Sequence, residues 1–168
     1  MNTPNDLEQR LLLRDVSPDD LPIFFAQQQD AQAIHMAAFT SPDPADRAAF
    51  DAHWSKIMAN PAVVQRTIVV DGEVAGNISR FEQFGEPELS YWLGREHWGR
   101  GVATAALAAF LRLLSERPLY ARVVKDNIAS RRVLEKCGFA ICGEDKGFAH
   151  GRGAEVEEFI LRLDGPAH

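Results

Sequence analysis

The chain has 168 residues, of which 46% are hydrophobic and 25% are charged, and its formal net charge is −6. This composition is normal for a globular protein with one hydrophobic core, whereas general nucleic-acid binding needs a basic surface. Because no apolar run approaches ~20 residues, and two cysteines build neither a disulfide framework nor a zinc site, we expect one cytoplasmic domain over residues 1–168 without membrane or metal contacts.

The first third of the chain predicts one strand and two helices. Residues 10–16 form the predicted strand, and a helix follows it with Ser17 as a suitable N-cap. Residues 31–43 have weak periodicity, so we expect an irregular connection there. A second helix is predicted over residues 44–59, with Asp43 as its N-cap.

The rest of the chain predicts a sheet with crossover helices. Asp71-Gly72 lies between two β-rich runs and predicts a hairpin, and Gly85-Glu86-Pro87 predicts a turn before the next strand. Hairpins require antiparallel pairing, and strand–helix–strand units indicate parallel pairing, so we expect a mixed sheet with helices on its faces. The remaining predicted elements are strand 88–94, helix 100–116, strand 119–124, helix 127–137 and strands at 139–145 and 155–163.

A glycine-rich stretch, Gly99-Arg100-Gly101, lies between a predicted strand and the start of an apolar helix. The first N–H groups of a helix have no partner inside the helix, and the helix dipole adds partial positive charge. Glycines allow an anion to approach these groups, and Arg100 adds a full charge. The stretch is either a pyrophosphate-binding turn or a tight turn with packing glycines, and its pattern alone does not separate the two.

Two other phosphate-binding motifs fit this stretch less well. The G-x-x-x-x-G-K-[ST] spacing of nucleoside-triphosphate loops is missing. A dinucleotide fingerprint would need a third small residue where Thr104 stands, and its place past mid-chain leaves too few parallel strands. A dinucleotide-dependent oxidoreductase is therefore a disfavoured alternative that NAD binding would revive.

A second motif, DNIASRRVLEKCGF at residues 126–139, follows the next predicted strand, with Asn127 as a suitable N-cap. Together with YWLGREHWGRGVATAAL at residues 91–107, it resembles the GNAT superfamily of acetyltransferases, and most closely the RimJ/RimL-like branch. The resemblance implies an α/β fold of the α+β type. Its sheet would be mixed and largely antiparallel, with six to seven strands, helices on both faces and a splay between the fourth and fifth strands.

The resemblance also implies acetyl-coenzyme A as the acetyl donor and an amine as the acceptor. The pantetheine arm would lie between the splayed strands, paired with the backbones of Trp92 and Leu93 and in contact with Asn127 and Ser130. The Leu93 N–H group would be the donor to the thioester carbonyl oxygen. The residues implied to bind the pyrophosphate are Gly99, Arg100, Gly101, Val102, Ala103 and Thr104.

Acetyl transfer to an amine needs a base and can use an acid. Glu88 opens the strand expected to line the cleft and is the predicted base, with Glu82 in reserve; the alternative is an ordinary solvent-exposed strand glutamate. Leu134 stands where many family members carry the tyrosine that protonates the leaving thiolate. Ser130, one turn earlier, is therefore the predicted acid, unless its hydroxyl only bonds the helix backbone. Trp98 stands where the family usually has Gln or Arg, which makes a side-chain contact with the cofactor doubtful at this position.

The predicted function is an acetyl-coenzyme A-dependent N-acetyltransferase acting on the primary amine of a protein or peptide N-terminus or of a small molecule. The alternative is a non-catalytic acyl-coenzyme A-binding regulatory module, which turnover of an amine would separate from the enzyme. Tyr91 and Tyr120 are interpreted as structural residues, and Cys137 as a buried hydrophobic residue. Both a monomer and a homodimer are compatible with the sequence.

Overall fold

Seven strands form one mixed sheet in the computed structural model, which describes residues 4–165. The strand order is β1-β2-β3-β4-β5-β7-β6, and β4 and β5 are the only parallel neighbours among the described strands. This confirms the mixed, largely antiparallel sheet expected from the sequence. The strands are β1 (Leu11–Arg14), β2 (Val64–Val70), β3 (Glu73–Gln83), β4 (Glu86–Leu93), β5 (Leu119–Val124), β6 (Ala140–Ala149) and β7 (Ala154–Leu163).

Helices cover both faces of the sheet. Helices α5 and α6 enclose the main hydrophobic core on one face, where Phe110 is fully buried, and α1 packs beside α5. On the other face, Phe24 and Trp54 stack at 5.1 Å between ring centroids in a smaller core formed by α2 and α4, and α3 contacts β5. The helices are α1 (Pro4–Arg10), α2 (Leu21–Gln27), α3 (Ala31–Ala37), α4 (Arg47–Ala59), α5 (Val102–Leu113) and α6 (Ile128–Lys136), with 3-10 turns at Pro18–Asp20 and Arg95–His97.

Several helix boundaries differ from the prediction, and side-chain caps explain two of them. The irregular connection expected over residues 31–43 contains α3, because the Asp30 carboxylate caps its first turn. Helix α4 begins at Arg47 with Asp46 as its N-cap. The predicted cap, Asp43, instead accepts a hydrogen bond in the turn before the helix. The prediction of Ser17 as a cap is confirmed.

Two further differences come from glycines and from packing. The apolar helix predicted over residues 100–116 is shorter, because Gly101 is its N-cap in a left-handed conformation and the chain leaves the helix at Leu114. Helix α1 was not predicted, since its one described core residue, Leu7, gives no periodic pattern. Gly101 therefore determines where α5 begins, and Leu7 is the residue that anchors α1 to the core.

The hairpin predictions are confirmed with one shift. Asp71 and Gly72 have positive φ angles of 52° and 80° in the β2–β3 turn, as a two-residue hairpin loop requires. In the β3–β4 turn the corresponding residues are Phe84 and Gly85, so Glu86 already belongs to the strand. The expected parallel pairing around α6 is wrong, because β7 inserts between β5 and β6 and pairs with both in antiparallel fashion.

Candidate active site

The sheet opens between its two parallel strands. Within residues 4–165, Glu88 and Tyr120 are the one residue pair that joins β4 to β5 in register. Beyond this pair β4 stays with β3 and β5 stays with β7. The carboxyl ends of β4 and β5 therefore separate, which confirms the splay expected between the fourth and fifth strands.

Alternate residues of β4 direct their backbone groups into this opening. The Gly94 N–H group donates to the Ala75 carbonyl at 2.8 Å, and in an antiparallel ladder such pairs alternate with pairs that make no bonds. Counting back along the register, Trp92 bonds to β3, whereas Tyr91 and Leu93 point the other way. The Leu93 N–H group therefore faces the opening. The backbone groups of Trp92, expected to pair with a pantetheine arm, are directed at β3, whereas those of Tyr91 face the opening.

Neighbouring side chains fix the end of β4. The indole N–H group of Trp98 donates to the Leu93 carbonyl at 3.1 Å, and the indole N–H group of Trp92 donates to the Gln27 carbonyl at 3.3 Å. A Cβ atom on Gly76 would lie 2.0 Å from the Trp92 carbonyl oxygen, so only glycine allows β3 to approach here. The sequence predicted no contact for the Trp98 side chain, whereas in the structure it holds the Leu93 carbonyl at the end of β4.

The glycine stretch is shaped by backbone conformation and not by packing. Gly99 and Gly101 have φ angles of 72° and 77°, and a Cβ atom on Gly99 would meet nothing within 4 Å. On Gly101 the nearest atom would be Leu7 Cδ2 at 3.6 Å, an ordinary contact. No side chain caps the start of α5, so its first N–H groups are available to a ligand. At both positions glycine is therefore required by the left-handed turn and not by close packing.

Ser130 contacts a residue that the sequence analysis treated as structural. Its hydroxyl oxygen lies 2.9 Å from the Tyr91 hydroxyl oxygen. The Ser130 N–H group donates to Asn127 Oδ1 at 3.2 Å, and Asn127 Nδ2 donates to the Met36 carbonyl at 3.3 Å. Asn127 thus caps α6, as predicted, and its amide group also ties α6 to α3, a contact that the sequence did not predict. Leu134 is 3% exposed and belongs to the core.

Glu88 is a buried carboxyl group at the start of the opening. It is 4% exposed, and Arg122 Nε lies 3.5 Å from its Oε2 atom. Burial raises the pKa of Glu88 above its ordinary value, against the opposing charge of Arg122, and Glu158 raises it further. The alternative of a solvent-exposed glutamate is therefore wrong. Glu82, the reserve candidate, has a side chain that is 63% exposed and forms an ion pair with Arg80 on β3.

Arg122 gathers three carboxylates beside the opening. Its Nη1 atom donates to Asp145 at 2.9 Å and to Glu158 at 2.8 Å, while its Nε atom faces Glu88 without a hydrogen bond. The Phe84 ring lies over the guanidinium group, 4.6 Å from the ring centroid. Three carboxylates against one guanidinium leave this face of the opening acidic. Such a field favours a cationic group over an anionic one.

Within residues 4–165, no helix is long and apolar enough to cross a membrane. The same residues contain no group of three His, Cys, Asp or Glu side chains placed to hold a metal ion.

Comparison with known proteins identifies the family. Residues 10–140 match the family model described as an acetyltransferase (GNAT) domain. The uncharacterized N-acetyltransferase p20 of Bacillus licheniformis is 27% identical over 105 residues, which are 60% of this chain. The match spans 58% of that relative, less than two thirds of its length.

Two solved structures have the same fold. Mycobacterium smegmatis RimJ in complex with CoA-disulfide has a TM-score of 0.77 and 22% sequence identity, covering 92% of this chain and 82% of its own. Spermidine N-acetyltransferase from Vibrio cholerae, in complex with CoA and spermine, has a TM-score of 0.75 and 18% identity, covering 92% of this chain and 96% of its own. At these identities the likeness concerns the fold, whereas the family match spans most of the chain. The chain therefore belongs to the GNAT acetyltransferase family.

Proposed function

We propose that this protein is an acetyl-coenzyme A-dependent N-acetyltransferase of the RimJ/RimL-like kind, acting on a primary amine. One observation carries the proposal: on β4, the Leu93 N–H group faces the opening, the chain continues from there to the uncapped start of α5 after Gly101, and the buried carboxyl group of Glu88 lies where the opening begins. These are a hydrogen-bond donor, an anion site and a base. Acetyl transfer from a phosphate-bearing thioester to an amine uses all three.

The residues around the opening fit acetyl-coenzyme A, which would supply a thioester open to attack by an amine. The backbone N–H groups of residues 102–104, with Arg100 beside them, suit a pyrophosphate, because the helix dipole favours an anion there. The backbone groups of Tyr91 and Leu93 suit the amides of a pantetheine arm, which can add to a strand edge like a peptide. The carboxyl ends of β4 and β5 are far enough apart to lack register pairs there.

Three groups of the chain would act during transfer. Glu88 accepts a proton from the incoming amine, and its raised pKa makes it a stronger base than an ordinary carboxylate. The Leu93 N–H group donates to the carbonyl oxygen as negative charge develops on it. The Ser130 hydroxyl donates a hydrogen bond to the departing sulfur, which is a tolerable leaving group because a thiol pKa is about 8.5.

The acceptor is a cation in solution, and the acidic side of the opening suits it. Glu88, Asp145 and Glu158 surround Arg122 on the face that α3 covers in part. An ammonium group approaching along this face is attracted before Glu88 takes its proton. The proposal therefore includes both a small amine and the free N-terminus of a peptide or protein.

The experiment is a thiol-release assay with acetyl-coenzyme A and a panel of amines that includes polyamines, amino acids and peptides with free N-termini. We expect release that depends on the acceptor and saturates with it. Calorimetric binding of coenzyme A without release on any acceptor would contradict the proposal. It would favour a non-catalytic acyl-coenzyme A-binding module, the alternative that Leu134 at the family's tyrosine position supports.

A further inference from the structure

The contact between Tyr91 and Ser130 crosses the opening on the side of α5 and α6. Tyr91 belongs to β4, its backbone groups face the opening, and its side chain packs against the main core. Ser130 belongs to the first turn of α6, on the other side of the gap. Their hydroxyl oxygens are 2.9 Å apart, so this side-chain contact connects β4 directly to α6.

The chemistry of the two hydroxyl groups determines how they share their protons. Each group has one proton and can also accept a hydrogen bond, so only one of them donates within the pair. A phenol is the more acidic group and the stronger donor. Burial raises the pKa of Tyr91, so the phenol keeps its proton. With Tyr91 as donor and Ser130 as acceptor, the single proton of Ser130 is left to point elsewhere.

We propose that Tyr91 is a positioning residue that turns the Ser130 hydroxyl group toward the sulfur atom of the bound thioester. The inference rests on the proposed function and names a residue that the sequence pattern assigns to structure alone. The amine nitrogen bonds to the thioester carbonyl carbon and gives a proton to Glu88, while the C–S bond breaks and the sulfur leaves as a thiolate. Ser130 supplies a hydrogen bond to this thiolate while keeping its own proton. Tyr91 thus compensates on β4 for the aliphatic side chain of Leu134 on α6.

The kinetic test compares Tyr91→Phe, Ser130→Ala and the double variant with wild type. A hydrogen bond to a developing charge is worth about a tenfold to hundredfold change in rate, so Tyr91→Phe and Ser130→Ala should each lower kcat by about that factor. The KM for the amine should change little. The double variant should be no slower than Ser130→Ala, because Tyr91 acts only through Ser130. Tyr120→Phe, the same substitution on the neighbouring strand β5, is the matched control and should keep wild-type kcat.

A second readout does not depend on turnover. The chain has two tyrosines, so protein labelled with ¹³C at the tyrosine Cζ atoms gives two signals, which the Tyr120→Phe variant assigns. The Tyr91 signal should shift in Ser130→Ala and again when coenzyme A is added, and the Tyr120 signal should not. Circular dichroism and thermal unfolding of Tyr91→Phe check that the variant folds.

Three results would overturn the inference. Wild-type kcat in Tyr91→Phe would show that the phenol hydroxyl does not assist the reaction. Multiplicative losses in the double variant would show that Tyr91 acts independently of Ser130. A Tyr91 signal unmoved by Ser130→Ala would show that the contact is not made in solution. A wild-type chain that releases no thiol on any acceptor would instead contradict the proposed function, and this inference with it.

Discussion

Glu88 is a carboxyl group in buried surroundings, although a carboxylate is most stable in water. A buried carboxylate costs free energy unless its charge is compensated. The compensation here is partial, since Arg122 faces Glu88 at 3.5 Å and gives its hydrogen bonds to Asp145 and Glu158. A fully paired Glu88 would have a lowered pKa and would be a weaker base. The arrangement around Arg122 therefore keeps Glu88 basic, which is typical of functional groups.

Replacing Glu88 tests its role directly. We expect Glu88→Gln to lower kcat/KM by about a hundredfold or more, because a positioned base contributes on that order. In wild type, kcat/KM should rise with pH through the pKa of Glu88, which burial moves above its ordinary value, and this limb should vanish in the variant. The measurement is kcat/KM against pH. Glu82→Gln, on the preceding strand and mostly exposed, is the control, and equal profiles for Glu88→Gln and wild type would exclude Glu88 as the base.

At the level of elements, the turn before α5 combines a left-handed backbone that glycine adopts without strain with an uncapped helix start. An alanine at a left-handed position costs about 1–2 kcal/mol of stability. We expect Gly101→Ala to lose about that much and also to weaken coenzyme A binding, since a backbone shift at this N-cap would move the N–H groups of residues 102–104 that the anion should contact. Gly153→Ala is the matched control, because Gly153 has a φ of 63° and open space around it in the β6–β7 turn.

The two glycine variants separate strain from ligand contact. Thermal unfolding measures the first and calorimetric titration with coenzyme A measures the second. Similar losses of stability in both variants, with weaker binding in Gly101→Ala alone, are expected. Equal affinities in the two variants would remove the start of α5 from the binding site.

The loop between β1 and α2 depends on a buried carboxylate. Asp20 is 2% exposed and accepts hydrogen bonds from Arg14 at 2.8 Å, from the Ser17 N–H group at 2.9 Å and from Thr67 Oγ1 at 2.7 Å. Burial raises its pKa, but these bonds outweigh burial and lower the pKa from 3.8 to about 2. The lowered pKa stabilises the fold above pH 3.8, and this stabilisation is lost as the pH falls toward 2.

The Asp20 network gives a stability prediction that can be measured by denaturant titration. The shift corresponds to about 2 kcal/mol, so Asp20 should account for about that much of the stability that wild type loses between pH 5 and pH 2. Asp20→Asn should be less stable at neutral pH and should lack this part of the pH dependence. Asp71→Asn alters an exposed ion pair with Arg10 that solvent screens, so it should change the stability much less than Asp20→Asn does. An Asp20→Asn curve parallel to that of wild type would contradict the assignment.

For the molecule as a whole, local sequence patterns predicted where helices, strands and turns form better than they predicted which elements pack or pair with each other. The Asp71-Gly72 turn and the Asn127 cap depend on residues adjacent in sequence, and both are confirmed. The β6–β7 hairpin joins the sheet through β7, which pairs with β5. No local pattern encodes which strand of the hairpin makes that contact. The same limit hid the Tyr91–Ser130 contact, because the two residues are 39 positions apart.

The candidate site shows a similar division. Residue types and spacing pointed to the glycine turn and to Glu88 as candidates, and the family resemblance added Ser130. The choice between Trp92 and Tyr91 depended on which residues of β4 bond to β3, and that parity follows from the β3–β4 turn. The turn lies one residue earlier than the predicted Gly85–Pro87, at Phe84 and Gly85, which form a two-residue loop. The strand register thus determines which β4 residues direct their backbone groups into the opening, and residue type does not reveal this.

The central claim is that the opening between β4 and β5 transfers an acetyl group to an amine. The most direct measurement follows the label from [¹⁴C]acetyl-coenzyme A into an amine acceptor, together with the thiol released, in wild type and in Glu88→Gln. We expect labelled amine and thiol in equal amounts, formed only when the acceptor is present, and a large loss of both in the variant. Thiol release without labelled amine, or no release from a protein that binds coenzyme A, would contradict the claim.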